Sequence, residues 1–513
     1  MATAELDLDK PALELSTLRR MITLFVVVIG STAYIAATFS AAALLPQMQG
    51  AMAATQDEIA WTVTFNILAA AIATPMSGWF ITSFGRRRVQ LYSIGLFTLA
   101  TLMCGIADSL ESLVFWRMVQ GAAGAPLIPL GQTIILDVFP RRQHRVVIAI
   151  FGMANTLGPV LGPAGAGYLA EFANWRWGFY MILPVGIIST LAVPFGLPRD
   201  APNTKVTLDW IGFISLAVAI GASQLVFARG QRLDWFDSTE IIIETLVGAI
   251  ALYVFIVHSL MARRPFLNLR LLADRNYSVG LFLVLLFGML NFTPMVLLPP
   301  LLKSELAQPD YVVGVVVSWR GLGVLAGFFL SMPLSRFDPR LGMALGFVIQ
   351  IVSGLWMMSL SLDAHWQVLS ANAFLQGLAV GVIWTPMATT TFWTLAPAHR
   401  PEAVAVFHLM RNLGSSLFIS WSVAAVVRTA GENYSRLVEF VTPASEVLAM
   451  PWVVGAWSWD TIPGLLALSE EIGRQAKMIG YLNAFGLYTL ASAIALPFVL
   501  MVKREELRPN DPD

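Results

Sequence analysis

Fourteen separate runs of about 20 predominantly apolar residues limit the fold of this chain more than any other feature of its sequence. A helix of about 20 residues crosses the ~30 Å hydrocarbon core of a bilayer. Because lipid offers no hydrogen-bond partner to the backbone, long apolar runs of this kind must be helical. The predicted spans lie near residues 22–44, 59–81, 89–108, 112–136, 146–170, 177–197, 208–228, 240–261, 277–300, 312–334, 341–361, 366–393, 402–427 and 479–502.

Composition supports the same class of protein. Of 513 residues, 57% are hydrophobic and only 12% are charged, which is too few to cover the surface of a soluble protein of this length. The net charge is zero and gives no indication of nucleic-acid binding. One cysteine and five dispersed histidines show no metal-ligand spacing, so we predict no cofactor and no metal. The chain is therefore predicted to be an all-α integral membrane protein.

The charged residues between the spans predict the orientation of the chain. Lys and Arg accumulate in cytoplasmic segments, and most of the 32 in this chain fall on one side if the N-terminus is inside. An even number of spans places the C-terminus on that side too. The prediction is an N-in/C-in arrangement.

Two similar turns suggest that the chain is built from two related halves. The sequence "GWFITSFGRRRVQL" (78–91) joins two spans in the first half, and "SMPLSRFDPRLG" (331–342) does so in the second. Parallel repeats of this kind are a transporter architecture with the substrate site between the halves. The predicted domains are a cytoplasmic tail (1–21), an N-terminal six-helix bundle (22–198), two inserted helices with cytoplasmic linkers (199–276), a C-terminal six-helix bundle (277–502) and a cytoplasmic tail (503–513).

The outer segment 428–478 of the second bundle mixes apolar and acidic residues. We interpret it as an amphipathic stretch that either lies on the membrane as a connector or serves as a docking surface.

The first of the two turns resembles the loop signature of the major facilitator superfamily. Gly78, Gly85, Arg86 and Arg87 match that signature, whereas Thr82 occupies the position of its acidic residue. The resemblance implies that this loop latches the two halves together on the cytoplasmic side. The alternative is that the arginines only fix the topology of the chain.

The fourth span contains "RMVQGAAGA", which is similar to a second signature of the superfamily. Arg117, Gln120 and Gly121 are the matching residues. An arginine within a span costs about 2.5–3.5 kcal/mol on insertion scales and usually faces a bundle interior or a water cavity. The alternative is that Arg117 extends its guanidinium to the outer membrane interface.

The fifth span contains "GMANTLGPVLGPAGAGYL", which resembles the antiporter signature of the superfamily. Gly158 and Gly162 each precede a proline, Pro159 and Pro163. Small residues on one helix face permit close helix contact, and proline permits a kink. With fourteen spans, this motif indicates the drug:proton antiporter branch, the EmrB/QacA-like multidrug efflux transporters. The resemblance implies a bacterial inner-membrane exporter of amphipathic small molecules, coupled to protons and working with a periplasmic adaptor protein and an outer-membrane channel.

One departure from that branch concerns proton coupling. The first span of the branch usually carries an aspartate nine residues before a proline, but here Ala37 lies nine residues before Pro46. Histidine titrates near physiological pH, so His408 in the thirteenth span is one candidate for proton coupling, and Glu244 near a helix end is the other. The alternative for His408 is an interhelical hydrogen bond without titration.

Polar residues within the spans are candidates for a substrate cavity. Arginines facing a cavity without an acid would repel cations and accept neutral or anionic amphiphiles. The candidate cavity residues are Tyr34, Asn66, Asn291, Arg320, Trp384 and Arg411.

Three other functions compete with proton-driven export. A facilitator, or an exporter of an anionic or neutral metabolite that does not use protons, agrees with the absence of the helix 1 acid. A membrane enzyme lacks support, because no nucleophile elbow or phosphate-binding loop is present in a suitable context. A sensor or receptor would need a signalling domain, and the sequence contains none.

Overall fold

A computed structural model describes residues 15–198, 207–396, 399–442, 450, 457 and 461–503, and its architecture is all-helical. The α-helices are α1 (Thr17–Ala43), α2 (Leu45–Ala51), α3 (Gln56–Phe84), α4 (Arg86–Ile106), α5 (Leu110–Gly124), α6 (Leu127–Val138), α7 (Arg141–Phe172), α8 (Trp177–Tyr180), α9 (Leu183–Gly196), α10 (Trp210–Arg229), α11 (Thr239–Met261), α12 (Arg275–Pro300), α13 (Asp310–Phe337), α14 (Pro339–Met358), α15 (Trp366–Phe392), α16 (Arg400–Phe440) and α17 (Ile462–Met501).

The predicted number of membrane spans is confirmed: within the described ranges, 14 helical segments are long and apolar enough to cross a bilayer. The fourth span is not one helix, because α5 and α6 are separated at Ala125 and Pro126. Proline has no backbone N–H to continue the hydrogen-bond ladder of α5. α1 begins at Thr17, within the predicted N-terminal tail 1–21, and residues 1–14 lie outside the described part.

Polar caps define where several helices begin. Thr55 and Glu58 form a capping box at the start of α3, in which the Glu58 carboxylate accepts a 2.8 Å hydrogen bond from the Thr55 backbone N–H. Asp209 caps α10 by accepting from the backbone N–H of Gly212 at 3.1 Å. These caps satisfy N–H groups that have no partner within the first turn of a helix.

Two long helices extend into the outer segment 428–478. α16 continues as a helix to Phe440, and α17 begins at Ile462 after a Thr461 cap, so much of the predicted membrane-lying connector is helical. Helices of 41 and 40 residues are about 60 Å long, roughly twice the hydrocarbon thickness. The hydroxyls of Tyr434 and Ser469 lie 2.9 Å apart and join the two extensions. The described parts of this segment therefore extend α16 and α17, and residues 443–449, 451–456 and 458–460 lie outside the described ranges. Whether the segment is a membrane-lying connector or a docking surface stays a prediction.

Helix packing forms two groups. In the first, α1 packs against α7 and α9, and α3 against α5; in the second, α12 packs against α16, and α13 and α14 against α15. The groups meet along two seams, where α3 and α6 contact α16, and where α7 contacts α13 and α15. α10 and α11 pack mainly on each other, and α10 also contacts α3 and α16.

The buried core is continuous at one end of the molecule and divided at the other. One large cluster includes residues of both groups, from Ile81 and Phe139 to Tyr277 and Val499. Two smaller clusters lie at the opposite end, and each belongs to one group. We call the end at the α3–α4 turn the latch end, because the two groups are joined there.

Candidate functional site

A cavity of about 410 Å³ lies between the two helix groups. Its wall contains residues of α1, α3, α6, α7, α12, α13, α15 and α16, together with one residue of α10. The structure places all six candidate cavity residues on this wall, and His408 with them: Tyr34, Asn66, Asn291, Arg320, Trp384, Arg411 and His408.

Two arginines give the cavity its positive charge. Arg320 of α13 is 4% exposed and donates to the backbone carbonyl of Asn291 and, at 3.1 Å, to its side-chain oxygen. Arg411 of α16 lies 5.8 Å from the centre of the Trp384 ring and donates at 3.2 Å to the side chain of Asn412. No Asp or Glu occurs among the described residues of the wall. The positive charge is therefore not neutralised by a carboxylate at the cavity.

Several buried polar atoms at the cavity have no hydrogen-bond partner in the described structure. The donors are Arg320 Nε, Arg411 Nε and Trp384 Nε1, and the acceptors are Asn66 Oδ1 and Asn155 Oδ1. A buried polar atom without a partner costs about 1–3 kcal/mol. The donors all belong to the second helix group and the acceptors to the first, so the two walls offer complementary partners to a bound molecule.

His408 connects the two helix groups at the cavity. Its Nε2 lies 2.6 Å from the side-chain oxygen of Gln132 on α6, and its Nδ1 is buried without a partner. The rings of Trp384 and Phe407 lie 6.2 Å and 5.5 Å away. The hydrogen bond crosses the α6–α16 seam, so any separation of the two groups at that seam must break it.

Glu244 does not line the cavity. It forms an ion pair with Arg229, which also lies 2.7 Å from Glu240, so this charge cluster joins α10 to α11. The two candidates for proton coupling are therefore in different places, and only His408 contacts the space available to a substrate.

Arg117 is fully buried within the first helix group, which rules out the alternative in which it reaches the membrane interface. Its guanidinium donates to the backbone carbonyl of Thr62 at 3.3 Å and to the side chain of Gln120. Gln120 in turn donates to Thr101 at 2.7 Å. The carbonyl of Arg117 accepts a 2.8 Å hydrogen bond from Asn66, whose free side-chain oxygen lines the cavity. Arg117 thus lies behind the cavity wall and holds Asn66 in place.

The predicted glycines occupy close helix contacts. A Cβ at Gly121 would lie 2.2 Å from the carbonyl oxygen of Asn66 on α3. On α7, a Cβ at Gly158 would lie 2.9 Å from Ile35, and one at Gly162 would lie 2.5 Å from the carbonyl oxygen of Ala36. Real Cβ atoms do not approach backbone oxygens this closely, so α1 and α7 pack at a separation that requires glycine.

The prolines of the same motif lie inside α7, which is continuous from Arg141 to Phe172. Pro159 lines the cavity next to the α1–α7 contact, and Pro163 follows one turn later. Each proline removes one backbone hydrogen bond from the helix at this point.

The α3–α4 turn forms a charged contact between the groups. Gly85 has φ 87°, a conformation that favours glycine, and it lets α3 end directly before α4 begins. Arg86 donates to the buried carboxylate of Asp137 at 2.6 Å, and Arg400 of α16 lies 3.7 Å from the same carboxylate. We call Arg86, Asp137 and Arg400 the latch cluster. The carboxylate at this contact is therefore that of Asp137, whereas Thr82 carries none.

The backbones also meet closely at the latch end. A Cβ at Gly78 would lie 3.0 Å from the Cα of Glu402 on α16, so the glycine lets α3 approach the start of that helix. Arg87 lies in the first turn of α4, beside the latch cluster in sequence. Thr82 is exposed and donates to the carbonyl of Trp79 at 3.0 Å.

Sequence reasoning missed Gln132, Asp137, Asn155, Gln224 and Arg400, which contact the cavity, His408 or the latch. All five are polar residues within or at the ends of predicted spans. The sequence shows that these residues are polar and lie in or next to a span, but it does not show which neighbouring helix each side chain faces.

Comparison with known proteins agrees with this architecture. A family model described as Major Facilitator Superfamily matches residues 26–289 and 280–431. Multidrug export protein EmrB of Escherichia coli (strain K12) is 29% identical over 412 residues, 78% of each chain. Fatty acid resistance protein FarB of Neisseria gonorrhoeae is 29% identical over 473 residues, 90% of this chain and 91% of the relative.

Two solved structures share the fold at low sequence identity. The proton:xylose symporter XylE has a TM-score of 0.59 and 12% identity, with 96% of this chain and 97% of that chain covered. The human organic anion transporter MFSD10 (TETRAN) has a TM-score of 0.58 and 12% identity, with 93% and 100% covered. The family match, the EmrB-like relatives and the all-helical fold with 14 spans together show that this chain belongs to the Major Facilitator Superfamily and is a multi-pass membrane transporter rather than an enzyme.

Proposed function

We propose that this protein exports amphipathic small molecules across the bacterial inner membrane by alternating access. The observation that carries the proposal is the cavity between the two helix groups, which holds two arginines, no carboxylate among its described residues and otherwise a largely apolar wall. Relatives named for multidrug export and fatty acid resistance support export as the direction of transport.

The chemistry of the cavity favours neutral and anionic amphiphiles. Arg320, Arg411 and Trp384 present unpaired donors that suit a carboxylate, sulfonate or phenolate. Phe39 and Phe292 stack with their ring centres 5.9 Å apart on the same wall and suit an apolar body. A cation would meet two uncompensated positive charges in a medium of low dielectric, which disfavours its binding.

We further propose an N-in/C-in orientation with proton coupling at His408. In this orientation the latch end is cytoplasmic, and the joined core there with a divided core opposite corresponds to a cavity closed toward the cytoplasm. The extended ends of α16 and α17 would then project into the periplasm, where an adaptor protein leading to an outer-membrane channel could bind them.

A second candidate function is export or facilitated diffusion without protons. The absence of an acidic residue from the described cavity wall favours it, because proton-coupled carriers commonly titrate an intramembrane carboxylate.

Transport into proteoliposomes tests the proposal. Anilinonaphthalene sulfonate and N-phenylnaphthylamine share one aromatic body and differ in the sulfonate, and ethidium supplies a cation. We expect the wild-type protein to transport the first two and to discriminate against ethidium. The double variant Arg320→Gln and Arg411→Gln should lose at least tenfold in kcat/KM for the sulfonate, a change of about 1.4 kcal/mol, and much less for the neutral compound.

The control is Arg264→Gln, because Arg264 is an exposed arginine in the turn that follows α11. Preferential transport of ethidium, or equal losses for both naphthalene probes in the double variant, would contradict an arginine-lined anion site.

A further inference from the structure

The inserted helix α10 lies against the α3–α16 seam rather than apart from the two groups. Leu216 and Ile220 of α10 belong to a small core cluster with Ala71 of α3 and Leu409 of α16. The inserted pair therefore covers the outer side of this seam, and the cavity lies on the inner side of the seam.

One side chain of α10 passes through the seam to the cavity. Gln224 follows Leu216 and Ile220 at spacings of four residues, so the three lie on one stripe of the helix. Gln224 is 7% exposed, lines the cavity and makes no hydrogen bond to any described residue. Two small residues of the neighbouring helices, Ala70 of α3 and Ser415 of α16, line the same cavity.

An amide at this position needs an explanation. Leu216 and Ile220, the two preceding residues of this stripe, are apolar and pack against protein. A leucine at position 224 would continue that packing. The amide atoms of Gln224 are not enclosed by protein, since neither is among the buried atoms without a partner, and the residue lines the cavity. Packing of α10 does not require this amide, so the amide is available to hydrogen-bond a molecule inside the cavity.

We propose that Gln224 contacts the transported substrate and determines specificity, so that the inserted pair forms part of the substrate site. This inference rests on the proposed function. The amide N–H₂ of Gln224 donates a hydrogen bond to the polar head of an anionic or neutral amphiphile, from the side of the cavity where α10 contacts α3 and α16. The inserted helices then have two roles, covering the seam and supplying one polar group to the site.

Substitution of Gln224 separates a contact role from a packing role. Gln224→Glu replaces the donor by a carboxylate of nearly the same shape. It should raise KM for anilinonaphthalene sulfonate at least tenfold, change KM for N-phenylnaphthylamine less than threefold and admit ethidium. Gln224→Leu removes the amide and should raise KM for the sulfonate about three- to tenfold with kcat retained. The matched control is Ser223→Ala, since the Ser223 hydroxyl bonds to the Ala219 carbonyl of its own helix at 2.8 Å.

The outcomes are distinguishable. A wild-type protein that transports none of the probes contradicts the proposed function itself. Wild-type transport with unchanged KM in both Gln224 variants overturns the substrate contact. A uniform fall in kcat for every probe, with KM unchanged, also overturns it, because a purely structural residue would have that effect.

Discussion

At the scale of single residues, the chain places three arginines inside its spans and treats them in two ways. Arg117 is enclosed by a backbone carbonyl, a glutamine and, at 6.0 Å, the ring of Phe179. Arg320 and Arg411 each keep a free Nε at the cavity. Arg117 also keeps one buried nitrogen, Nη2, without a partner, but it does not line the cavity, so only Arg320 and Arg411 can contact a ligand there.

Removing the guanidinium of Arg117 should affect the site indirectly. Arg117→Ala removes the donors to the Thr62 carbonyl and to the Gln120 side-chain oxygen and leaves a buried void, so we expect a lower thermal midpoint and loss of transport at unchanged membrane insertion. Arg117→Lys should restore little, because an ammonium cannot reproduce the two directed donors of the guanidinium. Thermal denaturation in detergent and transport by the same preparation measure both effects. Wild-type stability and transport in Arg117→Ala would contradict this role.

The sequence identified six cavity residues for a physical reason, since a polar residue in a span is costly and rarely lacks a role. Tyr34, Asn66 and Trp384 were found in this way, and they line the cavity. The same reasoning could not separate Arg117 from Arg320, because both lie within spans and the direction of each side chain depends on how the helices pack. It missed Gln224 because the sequence does not show that an inserted helix packs against the cavity.

At the scale of helices, apolar length predicted each span, but not the breaks or extensions. The α5–α6 break follows from Pro126, a local signal that span counting ignores. The extension of α17 to Ile462 is accompanied by contacts with the extension of α16, such as the Tyr434–Ser469 pair. Hydropathy does not predict these contacts, because they form between polar side chains of two helices.

The α1–α7 contact gives the element-scale prediction. Gly162→Ala would place a Cβ against the Ala36 carbonyl oxygen and push the helices apart, so we expect at least a tenfold loss of transport and a lower thermal midpoint. Gly167→Ala is the matched control on the same helix, since a Cβ there meets nothing within 4 Å. Comparable transport by the two variants would show that the close contact is not required.

At the scale of the whole molecule, the two helix groups are joined by the latch cluster, by the His408–Gln132 hydrogen bond and by a shared core at the latch end. Alternating access requires these contacts to break and re-form in each cycle. The loop differs from the superfamily signature at Thr82, and the carboxylate that pairs with Arg86 is that of Asp137 at the end of α6.

Neutralising the latch should shift the conformational equilibrium. Asp137→Asn leaves Arg86 and Arg400 facing each other without a carboxylate, so the open form at the latch end should gain at least tenfold in population, about 1.4 kcal/mol. Spin labels on Thr82→Cys and Ala396→Cys, in a Cys104→Ser background, would report the distance between the groups. Asp108→Asn is the control, because its carboxylate is 91% exposed and lies in another ion pair. An unchanged distance distribution in Asp137→Asn would exclude the latch as a determinant of this equilibrium.

Proton coupling is the prediction that involves the entire transport cycle. His408 lines the cavity and bonds across the seam, so a change in its protonation and a separation of the helix groups affect the same hydrogen bond. Glu244 lies off the cavity in an ion pair, and its protonation has no comparable connection to the seam. In vesicles with an imposed pH gradient, we therefore expect His408→Gln to keep downhill exchange but lose gradient-driven accumulation, whereas Glu244→Gln keeps both. Full gradient response in His408→Gln would remove histidine from the mechanism. A wild-type protein that ignores the gradient would favour facilitated transport, in which the His408–Gln132 bond serves only to close the seam.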